Sequence, residues 1–258
     1  LKVAVNELRG LAKPYGRLQL VEAGEHLSEL QTVYGRFCQG RNGYILRDEA
    51  KWQRLLTDAA LQQGFCCILY HEDQPEGYAF YTMHDQGIQI IEMAYVHYQA
   101  RCGLLDYFYG HRSHRQTFYW PAPADDPLPY ELAKSKEVLT LYPYLMLRIV
   151  DAEQVLAAFP YPQDKSLTFR LKLTDSLAQW NNGIFAVTID KGKAAITRLS
   201  HSAWDMAMDI GALSLLLSGS VNCQELLWRG LLTVQNEQLL QQWQALWPKM
   251  NNWINEDY

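Results

Sequence analysis

The sequence has few of the features that mark a nucleic-acid-binding or membrane protein. Of its 258 residues, 23 are Lys or Arg and 28 are Asp or Glu, which gives a net charge of −5. No basic run is interleaved with aromatic side chains, so a nucleic-acid partner is not expected. The longest apolar run without a charge, residues 210–220, has about half of the ~20 residues that a membrane-spanning helix needs. Since the N-terminus also has no signal-peptide pattern, we expect a cytoplasmic chain without membrane association.

Patterns for metal binding and disulfide bonding are equally scarce. The five cysteines are an odd number, include no Cys-x-x-Cys pair and have no zinc-site spacing. His111 and His114 lie three residues apart without a third ligand nearby, which favours a polar turn over a metal site. No metal cofactor is therefore expected. We expect reduced thiols in a cytosolic protein at Cys38, Cys66, Cys67, Cys102 and Cys223.

The composition indicates a folded chain with a sizeable core. Apolar residues make up 48% and charged residues 20% of the sequence, as in ordinary globular proteins. This length fits two domains of roughly 100–150 residues each. The chain starts on Leu1 with a strand-like run to Val5, and the stretch from Arg9 to Gly16 has the glycine and proline content of a linker. Because there is no initiator methionine, we expect that an N-terminal portion precedes Leu1.

From Arg17 the pattern predicts a unit that contains both helices and strands. From Leu27 to Phe37, successive apolar residues lie three, four and three positions apart, which predicts a helix. Asp48 is the expected N-cap of a second helix. Three strands joined by short turns between residues 65 and 96 predict an antiparallel meander. The proline-rich loop at 121–129 cannot lie inside a helix or in the middle of a sheet. We therefore place a domain seam soon after that loop, followed by a strand at 142–150.

The last part of the chain predicts strands followed by helices. Apolar and polar residues alternate from Leu167 to Leu173, and a hairpin follows around Gly192. An apolar helix is predicted over residues 204–217, a second helix begins near Asn222, and a third ends before a proline. Because strands precede helices, the expected fold class of this part is α+β.

An ordered set of short motifs resembles the enhanced intracellular survival (Eis) family of GNAT acetyltransferases. The motifs are Val33-Tyr-Gly-Arg36, Gly43-Tyr-Ile-Leu-Arg47, Gly77-Tyr78, Trp120-Pro-Ala-Pro123, Arg148-Ile-Val-Asp151, Trp180-Asn-Asn-Gly183, Asp209-Ile-Gly-Ala-Leu213 and Asn255-Glu-Asp-Tyr258. Members of that family have two tandem GNAT domains and a domain similar to sterol carrier proteins. The resemblance implies that residues 1–16 are a linker and the end of a first GNAT domain that is missing here. Residues 17–145 would be a degenerate second GNAT-like domain with a mixed or antiparallel sheet, and residues 146–258 a sterol-carrier-like α+β domain with a functional C-terminal tail.

The resemblance also implies an activity. Members move an acetyl group from acetyl-CoA to a primary amine, so we expect an aminoglycoside-, polyamine- or lysine-like acceptor, acetyl-CoA as co-substrate and a homo-oligomer. The coenzyme A cradle of this chain, residues 96–105, keeps Arg101 and Gly103 but has leucine where the family has a second glycine. Close approach of backbone to phosphate needs that glycine. We therefore expect acetyl-CoA to be bound by a first GNAT domain not present in this chain, and the chain on its own to be inactive.

The chain end is the predicted catalytic group. Apolar residues continue through Trp253 and Ile254, whereas disordered termini are usually small and polar. The resemblance implies that the terminal carboxylate of Tyr258 acts as general base, although the family pattern leads us to expect phenylalanine there. A free α-carboxyl titrates near ~3.5, and the like charges of Glu256 and Asp257 would raise its pKa and attract a cationic amine as substrate. The alternative is a tail that only docks against the protein.

Other candidate residues favour structural roles. The run from Ser200 to Ser202 lies beside Asp205 without a nucleophile elbow, which predicts a polar helix cap. Asp209 is either a structural hydrogen-bond partner or an anchor for the tail. As an alternative function, the sterol-carrier-like part would bind an apolar ligand between its sheet and the helix at 204–217, or serve oligomerisation only. A packed core at that position is the preferred reading.

Overall fold

The computed structural model describes residues 1–61, 64–85, 87–132, 140 and 146–254, with only the backbone at 58–61. These residues form two compact units of the α+β class. The first unit comprises described residues within 1–144 together with Trp253 and Ile254, and the second comprises those within 145–252. Of the helices in these ranges, none is long and apolar enough to cross a membrane.

The first unit is built on a six-stranded sheet in the order β1-β7-β6-β5-β4-β2. Neighbouring strands are antiparallel except β6 and β7, which are parallel. The elements of this unit are β1 (Lys2–Ala4), β2 (Arg17–Val21), α1 (Leu27–Cys38), β3 (Arg41–Asn42), α2 (Glu49–Leu61), β4 (Phe65–His71), β5 (Gln74–His84), β6 (Gly87–Tyr95), α3 (Tyr98–Gly110), β7 (Thr117–Tyr119) and α4 (Leu128–Glu131), with 3-10 turns at Val5–Gly10 and Ala23–His26.

Helix α1 forms where the apolar spacing predicts it. Its buried residues follow the three-or-four spacing of one helical face and pack on the sheet; they are Leu30, Val33, Tyr34, Phe37 and Cys38. Asp48, the predicted N-cap of α2, accepts a hydrogen bond from the backbone N–H of Lys51 at 2.8 Å. This bond satisfies a donor of the first helical turn.

A β-bulge between β5 and β6 changes which face of the sheet each residue of β6 occupies. Phe80 pairs with Glu92 and Tyr81 pairs with Ile90, so Ile91 is the extra residue. In a regular strand Ile90 and Glu92 would share a face, but the bulge places them on opposite faces. The bulge therefore directs the Glu92 carboxylate into the interior of the unit, where it is 1% exposed.

The N-terminal segment packs within the first unit. β1 pairs with β7, and the turn that follows buries Val5 and Leu8. The linker predicted from Arg9 onward therefore begins after a buried segment. The assignment of residues 1–16 to a preceding domain, and the boundary at residue 145, stay predictions.

The second unit has a five-stranded sheet in the order β10-β9-β8-β11-β12. β8 and β11 are parallel and the other neighbours antiparallel. Its elements are α5 (Ala152–Ala158), β8 (Ser166–Thr174), β9 (Gly183–Asp190), β10 (Lys193–Leu199), β11 (Met206–Asp209), α6 (Ile210–Leu217), α7 (Cys223–Trp228), β12 (Leu232–Val234), α8 (Leu240–Leu246) and β13 (Asn251–Asn252), with 3-10 turns at Gln179–Asn181 and Glu237–Leu239.

The core of this unit lies between the sheet and α8. The ring of Phe169 on β8 lies 5.9 Å from that of Trp243 and 5.6 Å from that of Trp247. The predicted hairpin is confirmed, with Gly192 at φ +80°. Asn222 and Glu225 form a reciprocal capping box at the start of α7, which satisfies donors at that helix end.

Two predicted elements are wrong in part. The helix predicted over residues 204–217 begins only at Ile210, because residues Met206–Asp209 form β11 beside β8. Met206 and Met208 face the core and alternate with more exposed residues, as a strand requires. The strand predicted over 142–150 is absent at 146–149, and its residues 142–145 lie outside the described residues.

Replacing Gly103 on α3 by alanine should lower the free energy of unfolding by about 1–3 kcal/mol through overpacking. A Cβ at this position would lie 2.8 Å from the Tyr15 carbonyl oxygen and 3.1 Å from a Leu69 methyl carbon. The matched control is Gly35→Ala on α1, where a Cβ meets nothing within 4 Å; it should be neutral or stabilise by up to about 1 kcal/mol. Urea unfolding measures both variants, and equal stability would contradict the close packing at Gly103.

Candidate functional site

The chain end returns to the first unit through Trp253. Its side chain is 6% exposed, and its ring lies 5.1 Å from that of Phe37 and 6.2 Å from that of Tyr34. Its backbone N–H donates to the Asn42 carbonyl oxygen at 2.9 Å. We call Tyr34, Phe37 and Asn42 the Trp253 socket. Burying an indole contributes about 4–6 kcal/mol before the entropy of ordering is subtracted.

The residues predicted to do chemistry follow this anchor. Trp253 belongs to the predicted docked tail, and its burial agrees with the prediction that an apolar chain end packs against the protein. Glu256, Asp257 and the Tyr258 carboxylate lie outside the described residues, so their roles stay predictions. Ile254, the last described residue, is half-buried.

A buried ion pair lies beside the socket. Arg47 and Glu92, exposed by 0% and 1%, form two hydrogen bonds, one of them 3.0 Å from Nη1 to Oε1. Tyr78 also donates to Glu92. The Arg47 guanidinium lies 3.9 Å from the centre of the Tyr34 ring and 4.6 Å from that of Trp52, in cation–π geometry.

The Arg47 guanidinium of this cluster stays charged. Burial by itself lowers the pKa of Arg47, but the charge and hydrogen bonds of Glu92 raise that pKa by a larger amount. The net shift is upward, so the guanidinium stays charged. Burial, then the charge of Glu92, raises the pKa of Tyr78 well above its ordinary value. Because the Glu92 carboxylate is buried and hydrogen-bonded to Arg47 and Tyr78, it has a structural role. Tyr34, Arg47 and Tyr78 lie in three of the motifs noted in the sequence, but no sequence signal showed that these motifs meet or that Glu92 joins them.

The start of α3 is the place where the sequence predicts a degenerate coenzyme A cradle. His97 caps the helix, because its Nδ1 accepts from the Ala100 N–H at 3.1 Å. Its other nitrogen, Nε2, lies 3.1 Å from Oε2 of Glu76. Tyr15 donates to the same carboxylate at 2.7 Å, and burial together with Glu76 raises the pKa of Tyr15 to about 12. A carboxylate at this helix start opposes the binding of a pyrophosphate.

Gly103 serves packing rather than close approach of the backbone to a ligand. The space that its missing Cβ leaves is filled by the main chain of Tyr15 and the side chain of Leu69. The one cradle glycine that the sequence retains is therefore in contact with protein. This agrees with the prediction that the cradle is degenerate.

A second ion pair fills the region between β6 and α3. The first three residues of β6, Gly87–Gln89, pair with β7. Near the far end of β6, Asp126 accepts hydrogen bonds from Nε and Nη2 of Arg101 at 2.9 and 2.8 Å and from Tyr95 at 2.7 Å. Arg101 and Asp126 are each 1% exposed. The arginine that the sequence offers as a cradle residue is thus bound to a carboxylate inside the protein.

The histidine pair forms a turn, as predicted. Residues 111–114 follow α3, and the His114 N–H donates to the His111 carbonyl oxygen at 3.0 Å. The His111 ring packs edge-on against Tyr107 at 5.0 Å. Burial, followed by Arg115, lowers the pKa of His111. Among the residues that the structure describes, no group of three His, Cys, Asp or Glu side chains is arranged to hold a metal.

The polar candidates of the second unit are structural. Asp205 accepts from the backbone N–H of Arg170 at 2.7 Å and from its guanidinium at 3.2 Å. The helix cap predicted around Ser202 is wrong, because a strand and not a helix follows this segment. Asp209 caps α6 by accepting from the Ala212 N–H at 2.7 Å, which favours the structural role over that of a tail anchor.

A polar junction around Asp175 closes one end of the same unit. Its carboxylate accepts from Arg148 Nη2 at 2.7 and 2.8 Å and from Asn181 at 2.9 Å. The Asp175 side chain is fully buried, whereas that of Arg148 is 39% exposed. Burial opposes ionisation, but the bonds from Asn181, two backbone N–H groups and Arg148 together lower the pKa of Asp175. The two motifs that begin at Arg148 and Trp180 therefore meet in the fold.

The apolar helix beside which a ligand was the alternative prediction contributes to the core of the second unit. Leu213 and Leu216 of α6 are 0% and 1% exposed, so this helix is part of the packed core. An open pocket of about 220 Å³ lies elsewhere, between the start of β8 and α8. That volume is below the roughly 300 Å³ at which ligand pockets begin. It is lined by Lys165, Ser166, Leu167, Gln241, Gln242, Ala245 and Leu246.

Two family models match this chain in succession. One described as an acetyltransferase (GNAT) domain matches residues 43–149, and one described as a sterol carrier protein domain matches residues 152–255. Curated proteins named N-acetyltransferase Eis, from Mycobacterium tuberculosis and Mycobacterium bovis, are 26% identical over 233 residues, covering 88% of this chain and 56% of theirs. The chain thus spans about half the length of the curated relatives that it matches.

Solved structures share the fold over the whole chain. A GCN5-related N-acetyltransferase from Anabaena variabilis has a TM-score of 0.83 at 20% identity, covering 100% of this chain and 66% of the other. Eis1 from Mycobacterium abscessus has a TM-score of 0.72 at 20% identity, with the same coverage. The α+β fold class with its GNAT-like and sterol-carrier-like parts, and the resemblance inferred from the motifs, are confirmed.

Arg47→Met should lower the free energy of unfolding by about 3–5 kcal/mol, because the Glu92 carboxylate is left buried without its counter-ion. The double variant Arg47→Met/Glu92→Leu removes both charges and should recover most of that loss. A double-mutant cycle by urea unfolding measures the coupling. Additive effects of the two substitutions would contradict a structural ion pair.

Proposed function

We propose that this chain, which carries a GNAT acetyltransferase domain followed by a sterol carrier protein domain, works in an Eis-like N-acetyltransferase. GNAT acetyltransferases use acetyl-CoA as acetyl donor. The acceptor is a small molecule with a primary amine of the aminoglycoside, polyamine or lysine type. The observation that carries the proposal is the anchoring of the chain end, at Trp253, in the GNAT unit.

Acetyl-CoA is held by another GNAT domain of the enzyme, and not by the GNAT unit of this chain. Four features of the α3 region support this. The backbone N–H of Ala100, in the first turn of α3, donates to His97 and is not free to bind a phosphate. The Glu76 carboxylate lies beside the start of the helix. Gly103 packs against other residues of the protein. Arg101, the remaining cation of the cradle, is neutralised by Asp126.

The Tyr258 carboxylate acts as the general base. It accepts a proton from the substrate ammonium, the freed amine attacks the thioester carbonyl, and the C–S bond breaks to release the coenzyme A thiolate, which is then protonated. Glu256 and Asp257 raise the pKa of that carboxyl by like-charge repulsion and attract the cationic substrate. Because the reacting group belongs to the backbone, tyrosine at the last position is compatible with the chemistry.

The setting of the enzyme completes the proposal. All five cysteines are unpaired and buried, which suits a reducing, cytoplasmic compartment. The second unit exposes large apolar side chains, with Trp228 at 85%, Leu177 at 77% and Trp180 at 59%. Exposed apolar surface of this kind supports assembly into a homo-oligomer.

The chain of residues 1–258 should bind acetyl-CoA with a Kd above about 1 mM, which corresponds to a binding free energy weaker than about −4 kcal/mol. It should also show no acetyl transfer. Isothermal titration calorimetry measures the binding, with the protein as encoded in its gene as the positive control. Saturable binding by residues 1–258 at micromolar acetyl-CoA would contradict the placement of the cofactor in another domain.

Adding one glycine after Tyr258 in the full protein should lower kcat by about 10²–10⁴-fold, the usual contribution of a general base. The melting temperature should not change, because the added residue lies beyond the socket. Steady-state acetylation of a polyamine and an aminoglycoside measures the effect. The matched control replaces Tyr258 by phenylalanine, which keeps the carboxylate and should keep kcat. Unchanged kcat in the extended protein would contradict a terminal base.

A further inference from the structure

We propose that His97 is a proton-sensitive cap of α3: the first turn of this helix is capped while the imidazole is neutral, and protonation of the ring removes the cap. The inference does not rest on the proposed function. It rests on the contacts of His97 with the first turn of α3, with Glu76 on β5 and with Tyr15 in the segment before β2.

The cap depends on one lone pair of the His97 ring. The His97 backbone is extended, as is usual at an N-cap, and its Nδ1 accepts a hydrogen bond from the Ala100 N–H at 3.1 Å. An imidazole nitrogen can accept only while it carries no proton, and an imidazolium is a donor at both nitrogens. A proton on Nδ1 and the bond from Ala100 are therefore mutually exclusive.

The other ring nitrogen binds a carboxylate. Because Nδ1 accepts, the proton of the neutral ring lies on Nε2, which is 3.1 Å from Oε2 of Glu76. Neutral His97 thus donates to Glu76 and accepts from Ala100 at the same time. The His97 and Glu76 side chains are 36% and 14% exposed, so a proton from solvent can reach the ring.

Protonation keeps the contact with Glu76 and removes the contact with the helix. The imidazolium still donates to Glu76 through Nε2, now as an ion pair, while its new Nδ1–H faces the Ala100 N–H. Two donors repel each other, and the positive end of the helix dipole opposes a cation at this position. On α3 itself the charge of Arg101, one turn after His97, is already balanced by Asp126. The protonated ring therefore turns away from α3 and leaves the Ala100 N–H to solvent.

The segment before β2 and the end of β4 contribute the other titratable groups. The Tyr15 hydroxyl lies 3.5 Å from Nε2 of His97 and donates to Glu76 at 2.7 Å. Burial, followed by Glu76 and Glu72, raises the pKa of Tyr15 to about 12, so this hydroxyl keeps its proton near neutral pH. His71 stacks on the Tyr15 ring at 4.7 Å. His71 is thus a second imidazole in the cluster, and a test must separate it from His97.

The test measures hydrogen–deuterium exchange of the Ala100 amide at residue resolution in the full protein. A helix supplies no acceptor for the N–H groups of its first turn, so protection of this amide reports the cap. Protection factors are compared at about pH 8 and about pH 5.5, on either side of the ordinary titration of imidazole near ~6.5. The variants are His97→Asn, His97→Ala and His71→Phe.

In the unaltered protein, the protection of Ala100 should fall by about fivefold or more at the lower pH, the factor that corresponds to a typical N-cap. His97→Asn should stay protected at both pH values, because asparagine caps a helix and does not titrate. His97→Ala should be unprotected at both. His71→Phe is the matched control: it keeps a ring beside Tyr15, removes the second imidazole and should respond to pH as the unaltered protein does.

A fourth variant, Glu76→Gln, tests the role of the carboxylate. Glutamine keeps an acceptor for Tyr15 and His97 but removes the charge that stabilises the imidazolium. The loss of Ala100 protection should therefore move to lower pH in this variant. The same exchange measurement, repeated over a series of pH values, gives the position of the transition.

Three results would overturn the inference. Equal protection of Ala100 at both pH values in the unaltered protein would show that protonation does not remove the cap, and this comparison needs no variant to fold. A pH-dependent loss that persists in His97→Asn would assign the response to a group other than His97. A loss that disappears in His71→Phe would assign it to His71.

Discussion

The buried pair of Arg47 and Glu92 is the interaction on which the first unit depends. It joins the segment before α2 to β6 and places a guanidinium against Tyr34 and Trp52. Two charges without solvent are stable only if each is fully paired, so this arrangement tolerates little displacement of its neighbours. Two consequences follow from the same contact. Both oxygens of Glu92 are bonded inside the protein, and Tyr34 is held in the orientation that receives Trp253.

The first unit has a GNAT-like fold, and the region that the sequence predicts as a coenzyme A cradle is filled by the protein's own residues. Arg101 and Asp126 occupy the interior beside β6, and Glu76 lies at the start of α3. Each of these carboxylates would repel the phosphates of coenzyme A, yet each satisfies a cation or a hydrogen-bond donor of the fold. On the proposed function, the groups that would oppose coenzyme A are therefore also groups that stabilise the unit. A fold can keep its architecture without the chemistry, and function must then be sought at another site.

Local patterns predicted the elements whose signal is contained within a few residues. The spacing of apolar residues located α1, alternation located β8, and the Asn222–Glu225 pattern located the start of α7. The segment at 204–217 misled because the alternation over Met206–Asp209 is too short to separate that strand from the apolar helix that follows it. Arg47 and Glu92 are 45 residues apart, and the bulge that turns Glu92 inward has no sequence signature. The tail's apolar content predicted that it docks, but no local feature could name Phe37 as its partner.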